Sequence, residues 1–226
     1  MSSVMFRHAK ARLRLPFTFL LVLMLAGGGL LTAPAHAQVG VTAGLNFAQM
    51  DDFTSSVQNT SVNAAFDNST GYHVGLVYEF GGGTWTVRPA LVFRTIGTYS
   101  LPQDPSVGDL RNEFDLQVVE VPLDIRLRLL DLPLIHPYLL AGPMASFPWS
   151  EGDFSDATEE IALSATVGGG ASIKASWLPV TLQTELRYET GITDFFQDSF
   201  TVAGRTFNPR NEPRNSAFSV RLNLLF

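Results

Sequence analysis

Cysteine is absent, and Lys10 and Lys174 are the only lysines in the 226 residues. Without thiols the chain can form neither disulfides nor thiolate metal sites, and cysteine nucleophiles are excluded. No His-Glu-x-x-His, P-loop or Gly-x-Ser-x-Gly pattern occurs. Past the first 37 residues no apolar run is long enough for a membrane helix. Positive charge is also scarce, with 15 Lys and Arg against 21 Asp and Glu and a net charge of −6. Four of those bases precede residue 38 and no acid does, leaving 11 − 21 = −10 for the remainder. That balance argues against nucleic acid as a partner.

What is present begins with a basic segment (Arg7, Lys10, Arg12, Arg14), an apolar run from Leu15 to Leu31, and Ala35-His36-Ala37 before Gln38. A positive region, a greasy core and a small-x-small exit form an export signal, so residues 1–37 are expected to be removed after Ala37. The alternative, a retained membrane helix, is disfavoured by Gly27 to Gly29 and Pro34. Residues 38–226 are enough for one domain.

That domain alternates apolar and polar residues with period two, the signature of strands with one greasy face. The last segment shows it best: Phe218, Val220, Leu222, Leu224 and Phe226 alternate with Ser219, Arg221 and Asn223. The first, Val39 to Ala48, does the same. Further strands are expected at Gly71 to Phe80, at Thr84 to about Tyr99, and from Val118 to Leu129 with a bulge near Val118. Three more are expected at Ile135 to Phe147, Ile161 to Ser176 and Val180 to Ile192. Segment 135–147 is apolar nearly throughout, so its two faces cannot be told apart. Four long polar loops (49–70, 100–112, 148–160, 193–215) alternate with three short turns. Seven connections join eight strands, and an even count puts both ends of the domain on the short-turn side.

An open strand edge is not tolerated in lipid, so the last strand should close against the first. The fold expected is an all-β, eight-stranded antiparallel up-and-down transmembrane β-barrel. In barrels of this kind the short turns and both termini are periplasmic and the long loops external. Trp85, Trp177, Phe80 and Phe226 lie where an aromatic girdle belongs, and Phe226 fits a C-terminal signal for the assembly machinery. A soluble barrel with its greasy face inward would alternate similarly. Arginine decides the orientation: each costs about 2–4 kcal/mol on the lipid face, so exposing four would cost on the order of 10 kcal/mol. The polar face therefore points inward. It carries Glu79, Arg88, Arg94, Glu120, Asp124, Arg126, Arg128, Lys174, Glu185, Arg187, Glu189 and Arg221. An eight-stranded barrel has room inside only for side chains, so these seven bases and five acids should pair into a plug.

VEVPL (Val119 to Leu123), PYLLAGP (Pro137 to Pro143), VGGGA (Val167 to Ala171) and ELRYETGITD (Glu185 to Asp194) give nearly all of residues 38–226 a likeness to known proteins. In these motifs the chain resembles the PorT-like outer-membrane β-barrel family of Bacteroidota and their relatives. The resemblance implies an eight-stranded barrel inserted by the outer-membrane assembly machinery. One member of that family is tied to a secretion system; this role is not carried over.

Catalytic readings have little to build on. His73 and His136 are the only histidines past residue 37, and neither has a serine and an acid placed beside it by spacing. Glu185, Arg187 and Glu189 on one face suggest ion pairs rather than an acid/base pair. Glu151, Asp153, Asp156, Glu159 and Glu160 lack a calcium-ligand spacing. No catalysis, cofactor or metal is therefore expected. The expected surroundings are outer-membrane lipid, the assembly machinery and other envelope proteins met through the four loops. Two alternatives are a lipid-modifying barrel enzyme using His73, and a narrow channel or secretion-system component.

Overall fold

The computed structural model describes residues 37–50, 53–57, 60–64, 69–100, 113–149, 159–174, 179–194, 200–202, 205–209 and 215–226. The expected signal segment lies outside them except for Ala37, and so does Trp177.

Eight strands form a closed barrel: β1 (Gln38–Met50), β4 (Ser69–Gly82), β5 (Trp85–Ser100), β6 (Glu113–Arg128), β7 (Ile135–Trp149), β8 (Ala162–Lys174), β9 (Thr181–Gly191) and β12 (Asn215–Leu225). Each pairs antiparallel with its neighbours, and the ring shuts where β12 meets β1 from Gly40↔Leu225 to Met50↔Asn215. The expected bulge occurs in the strand facing the one expected to carry it: pairing shifts between Thr95 and Gly97, opposite Gln117 and Leu116.

Two of the expected loops are not structureless. Residues 49–70 contain β2 (Phe53–Val57) and β3 (Thr60–Ala64), and residues 193–215 contain β10 (Phe200–Val202) and β11 (Arg205–Pro209). These four make a second sheet in the order β10-β11-β2-β3, bridged by Asn208↔Ser56 and Pro209↔Ser55. Thr54, Val57, Thr60 and Val62 supply the β-branched residues that favour strands. Their neighbours are polar because lipid does not select the composition of strands lying past the barrel wall. Of the other two long loops, residues 101–112 and 150–158 lie outside the described residues.

The greasy face looks outward. Val41, Leu45, Leu76, Leu139, Val167, Leu186, Val220 and Leu222 are all exposed on the barrel's outside. Trp85 and Phe226 are exposed at the short-turn end, where the Tyr78 and Phe80 rings lie 5.8 Å apart. A second aromatic row marks the other end. There Phe47 pairs with Phe218 and Phe218 with Tyr188 across three strands, all three outward. At 16 residues each, β5 and β6 exceed the 9–11 or so needed to cross tilted, so they reach beyond the bilayer.

The faces of β7 are now defined. Tyr138, Leu140, Met144 and Ser146 point inward, while Ile135, Leu139, Ala141 and Pro143 are exposed. Both faces are largely apolar because Leu140 and Met144 are buried on the inner side, apart from the buried apolar cluster of Val77, Ala90, Val92 and Leu225. Glycine fits the inner wall where another side chain must lie against the backbone. A Cβ on Gly44 would come within 2.1 Å of the Val220 carbonyl oxygen and 2.7 Å of His73 Nε2. On Gly170 a Cβ would meet the Tyr138 hydroxyl at 2.8 Å. The β4–β5 turn relies on glycine for another reason: Gly81 and Gly83 have φ of 108° and 73°.

Candidate functional site: the lumen charge network

Because side chains alternate, residues two apart on a strand share the lumen. Glu185, Arg187 and Glu189 on β9 therefore face Arg88 and Arg94 on β5 and Glu120, Asp124 and Arg126 on β6. Arg88 reaches Glu185 Oε1 at 2.6 Å and Asp124 Oδ2 at 3.1 Å, and donates to Gln183 Oε1 at 2.9 Å. Arg187 grips Asp124 with both terminal nitrogens at 2.7 and 2.8 Å and reaches Glu185 Oε2 at 3.2 Å. The Tyr138 hydroxyl donates to Glu185 at 2.7 Å. Two arginines and two carboxylates thus form one interlocked unit, and Asp124 and Arg187 are each 0 % exposed.

Two further groups flank this unit. Towards the long-loop end, Arg94 pairs with Glu120 at 3.0 Å and with Glu189. Towards the short-turn end, Arg126 pairs with Glu79, which also accepts from Gln183 Nε2 at 3.2 Å. The Arg126 guanidinium lies 3.7 Å from the centre of the Tyr138 ring, a cation–π contact. Arg221 donates through Nε to His73 Nε2 at 3.3 Å, across the gap left by Gly44, which pairs with both residues.

Ten of the twelve residues expected in the lumen network are therefore placed inside, and two are not. Arg128 and Lys174 end their strands at the short-turn rim. Lys174 is exposed, and the Arg128 side chain is 38 % exposed, 3.7 Å from the carboxylate of Asp131. Their faces are as expected, but the wall stops there, and water rather than a buried acid solvates them. Among the described residues the inner count changes from seven bases against five acids to five arginines (Arg88, Arg94, Arg126, Arg187, Arg221) against five carboxylates. Equal numbers suit a buried lumen, where an uncompensated charge is costly.

Tyr138 and Gln183 belong to the network, and Asn46 is buried on the same inner wall; none was singled out by sequence reasoning. Asn46 donates to the Thr95 carbonyl at 3.0 Å. Tyr138 sits in the apolar β7 segment, and its only signal is Gly170, its partner across the ladder, which becomes visible once register is known.

The other candidates fare differently. His136 is held by Asp131 at the rim, with Nε2 3.0 Å from the carboxylate. Among the described residues no hydroxyl or carboxylate hydrogen-bonds to His73. No described group of His, Asp and Glu is arranged to hold a metal ion. Glu151, Asp153 and Asp156 lie outside the described residues.

Comparison with known proteins agrees with this architecture. No curated protein matches the chain in sequence. Among solved structures, the outer membrane protein OprG from Pseudomonas aeruginosa aligns with a TM-score of 0.52 at 10% identity, over 84% of this chain and 96% of its own. The attachment invasion locus protein Ail of Yersinia pestis aligns over 84% and 99%, with a TM-score of 0.41 and 11% identity. Outer membrane protein AlkL aligns over 84% and 90%, with a TM-score of 0.43 and 12% identity. The OprG match supports the fold alone. The family described as outer membrane protein beta-barrel domain matches residues 32–197, more than half of the chain. With the closed ring and its outward greasy face, that match makes this chain an outer-membrane barrel belonging to the outer membrane protein beta-barrel domain family.

Proposed function

We propose that this barrel is a non-enzymatic envelope protein whose lumen is sealed by paired charges and whose role is structural or interactive, exercised at the long-loop end. The observation that carries the reading is the set of buried ion pairs in which Arg88, Arg94, Arg126 and Arg187 bridge five carboxylates strand to strand, with Arg221 hydrogen-bonded to His73. A solute would have to break several charge-assisted contacts at once to pass. The absence of catalysis belongs to the same reading: His73 is engaged by Arg221, which favours a structural histidine over a general base. In this reading the short turns and termini face the periplasm, as is usual for outer-membrane barrels, and the second sheet then extends the wall outside, where other envelope proteins would meet it. Within the family, VEVPL and ELRYETGITD support PorT-like membership.

Planar-bilayer recording tests the seal. The purified barrel should give no steady current, and open-channel conductance from the wild type would overturn the proposal. Replacing His73 with Ala should leave outer-membrane lipid composition unchanged; an altered lipid profile would favour the enzyme reading.

A further inference from the structure

The β6–β7 connection is unlike an ordinary short turn. Its sequence is Leu129-Leu130-Asp131-Leu132-Pro133-Leu134, and the four leucines are 50%, 56%, 46% and 50% exposed. It is nevertheless held in place. Leu129 N–H donates to the Pro137 carbonyl at 2.9 Å, Lys174 N–H to the Leu134 carbonyl at 3.1 Å, and Arg128 N–H to the Thr84 carbonyl at 2.8 Å. Trp85 of the aromatic girdle pairs with Leu127, so the turn begins just past the girdle, at the level of lipid head groups. Its leucines continue the outward apolar band through Ile135 and Leu139.

Charge flanks the same turn. Arg128 stands at its start, and Lys174 is tied by its backbone to the last residue. At Arg128 a small open recess of about 30 Å³ is lined by Glu79, Thr84, Arg126, Arg128, His136 and Ser172, among others. Arg126 is matched by Glu79, whereas among the described residues Arg128 has Asp131, which also contacts His136, as its one carboxylate partner, and Lys174 is exposed without an ion pair. The rim is therefore net positive, next to greasy side chains at the interface. A soluble anion would be served by the cations alone and would leave the leucines in water.

We propose that this turn and rim bind a phospholipid with a net-negative head group, in the leaflet at the short-turn end. The leucines lie among the upper acyl chains, Arg128 and Lys174 hold the phosphate, and the Thr84 and Ser172 hydroxyls meet the polar remainder in the recess. Basic pockets beside membrane-spanning segments recognise anionic lipids in this way.

The test is native mass spectrometry of the barrel released from nanodiscs holding equal phosphatidylglycerol and phosphatidylcholine. A cation at a membrane surface is worth about fivefold in affinity for anionic lipid, so the wild type should retain phosphatidylglycerol preferentially. Arg128→Gln with Lys174→Gln should reduce that preference by about 25-fold or to none, and Leu130→Ser with Leu132→Ser should lower retention of both lipids. Far-UV circular dichroism confirms that each variant is folded. Should the double charge variant not fold, exposed Lys174→Gln alone should lower the preference about fivefold. Equal retention of the two lipids by the wild type would overturn the proposal. So would displacement of bound lipid by inorganic phosphate without any lipid preference, which would mark a soluble-anion site. Nanodiscs offer both leaflets the same lipids, so this test depends neither on barrel orientation nor on the conductance result.

Discussion

Asp124→Asn tests the lumen network at its centre. Asp124 accepts from Arg187 at 2.7 and 2.8 Å and from Arg88 at 3.1 Å. In the native unit Arg88 and Arg187 balance Asp124 and Glu185. The substitution keeps the shape but leaves two guanidinium groups sharing Glu185, one charge uncompensated in a buried site. Breaking a buried pair costs about 3–5 kcal/mol, a large part of a total stability of roughly 5–15 kcal/mol. The assay is equilibrium unfolding in urea from lipid vesicles, followed by tryptophan fluorescence, with the slope checked for constancy. Asp131→Asn is the control: that side chain is 76 % exposed and should change stability by about 1 kcal/mol or less. Adding Arg187→Gln to Asp124→Asn restores neutrality and should recover much of the loss, giving a coupling of about 0.5–3 kcal/mol. The reasoning fails if Asp124→Asn behaves like the Asp131 control, or if the double variant loses the sum of its parts.

The same titration checks three other expectations. Val220→Arg places a guanidinium on the lipid face at the middle of β12 and should cost about 2–4 kcal/mol; a smaller cost would mean that this face is not in lipid. Gly44→Ala should cost about 1–3 kcal/mol by overpacking. Adding His73→Ala should not restore stability, because the Val220 carbonyl still lies 2.1 Å from the new Cβ. Tyr138→Phe removes one donor to Glu185 while Arg88 keeps its contact with the same oxygen, so the expected loss is about 1 kcal/mol with no current in planar bilayers.

The alternation that placed eight strands and turned the arginines inward was legible because lipid penalises a misplaced charge heavily. The same criterion does not reach β2, β3, β10 and β11, whose composition lipid does not select. It also could not divide β7, since Leu140 and Met144 line the inner wall as greasily as Leu139 and Pro143 line the outer. Arg128 and Lys174 show another limit: alternation reports which face a residue occupies but not its height along the barrel, and height decides between a buried pair and a solvated end. Tyr138 needed the ladder itself, because its partner Gly170 lies 170 − 138 = 32 residues along the chain.

The β1–β12 seam joins Gly40 to Leu225, residues 225 − 40 = 185 positions apart. Contacts so distant in the chain are slow to form, since loop-closure entropy is lost before they repay it. Hairpins such as β4–β5 can zip early, but this last ladder must wait until both ends of the domain have been delivered. Loss of the final few residues would therefore leave two raw edges in a half-made sheet, where pairing with a second chain competes with closure.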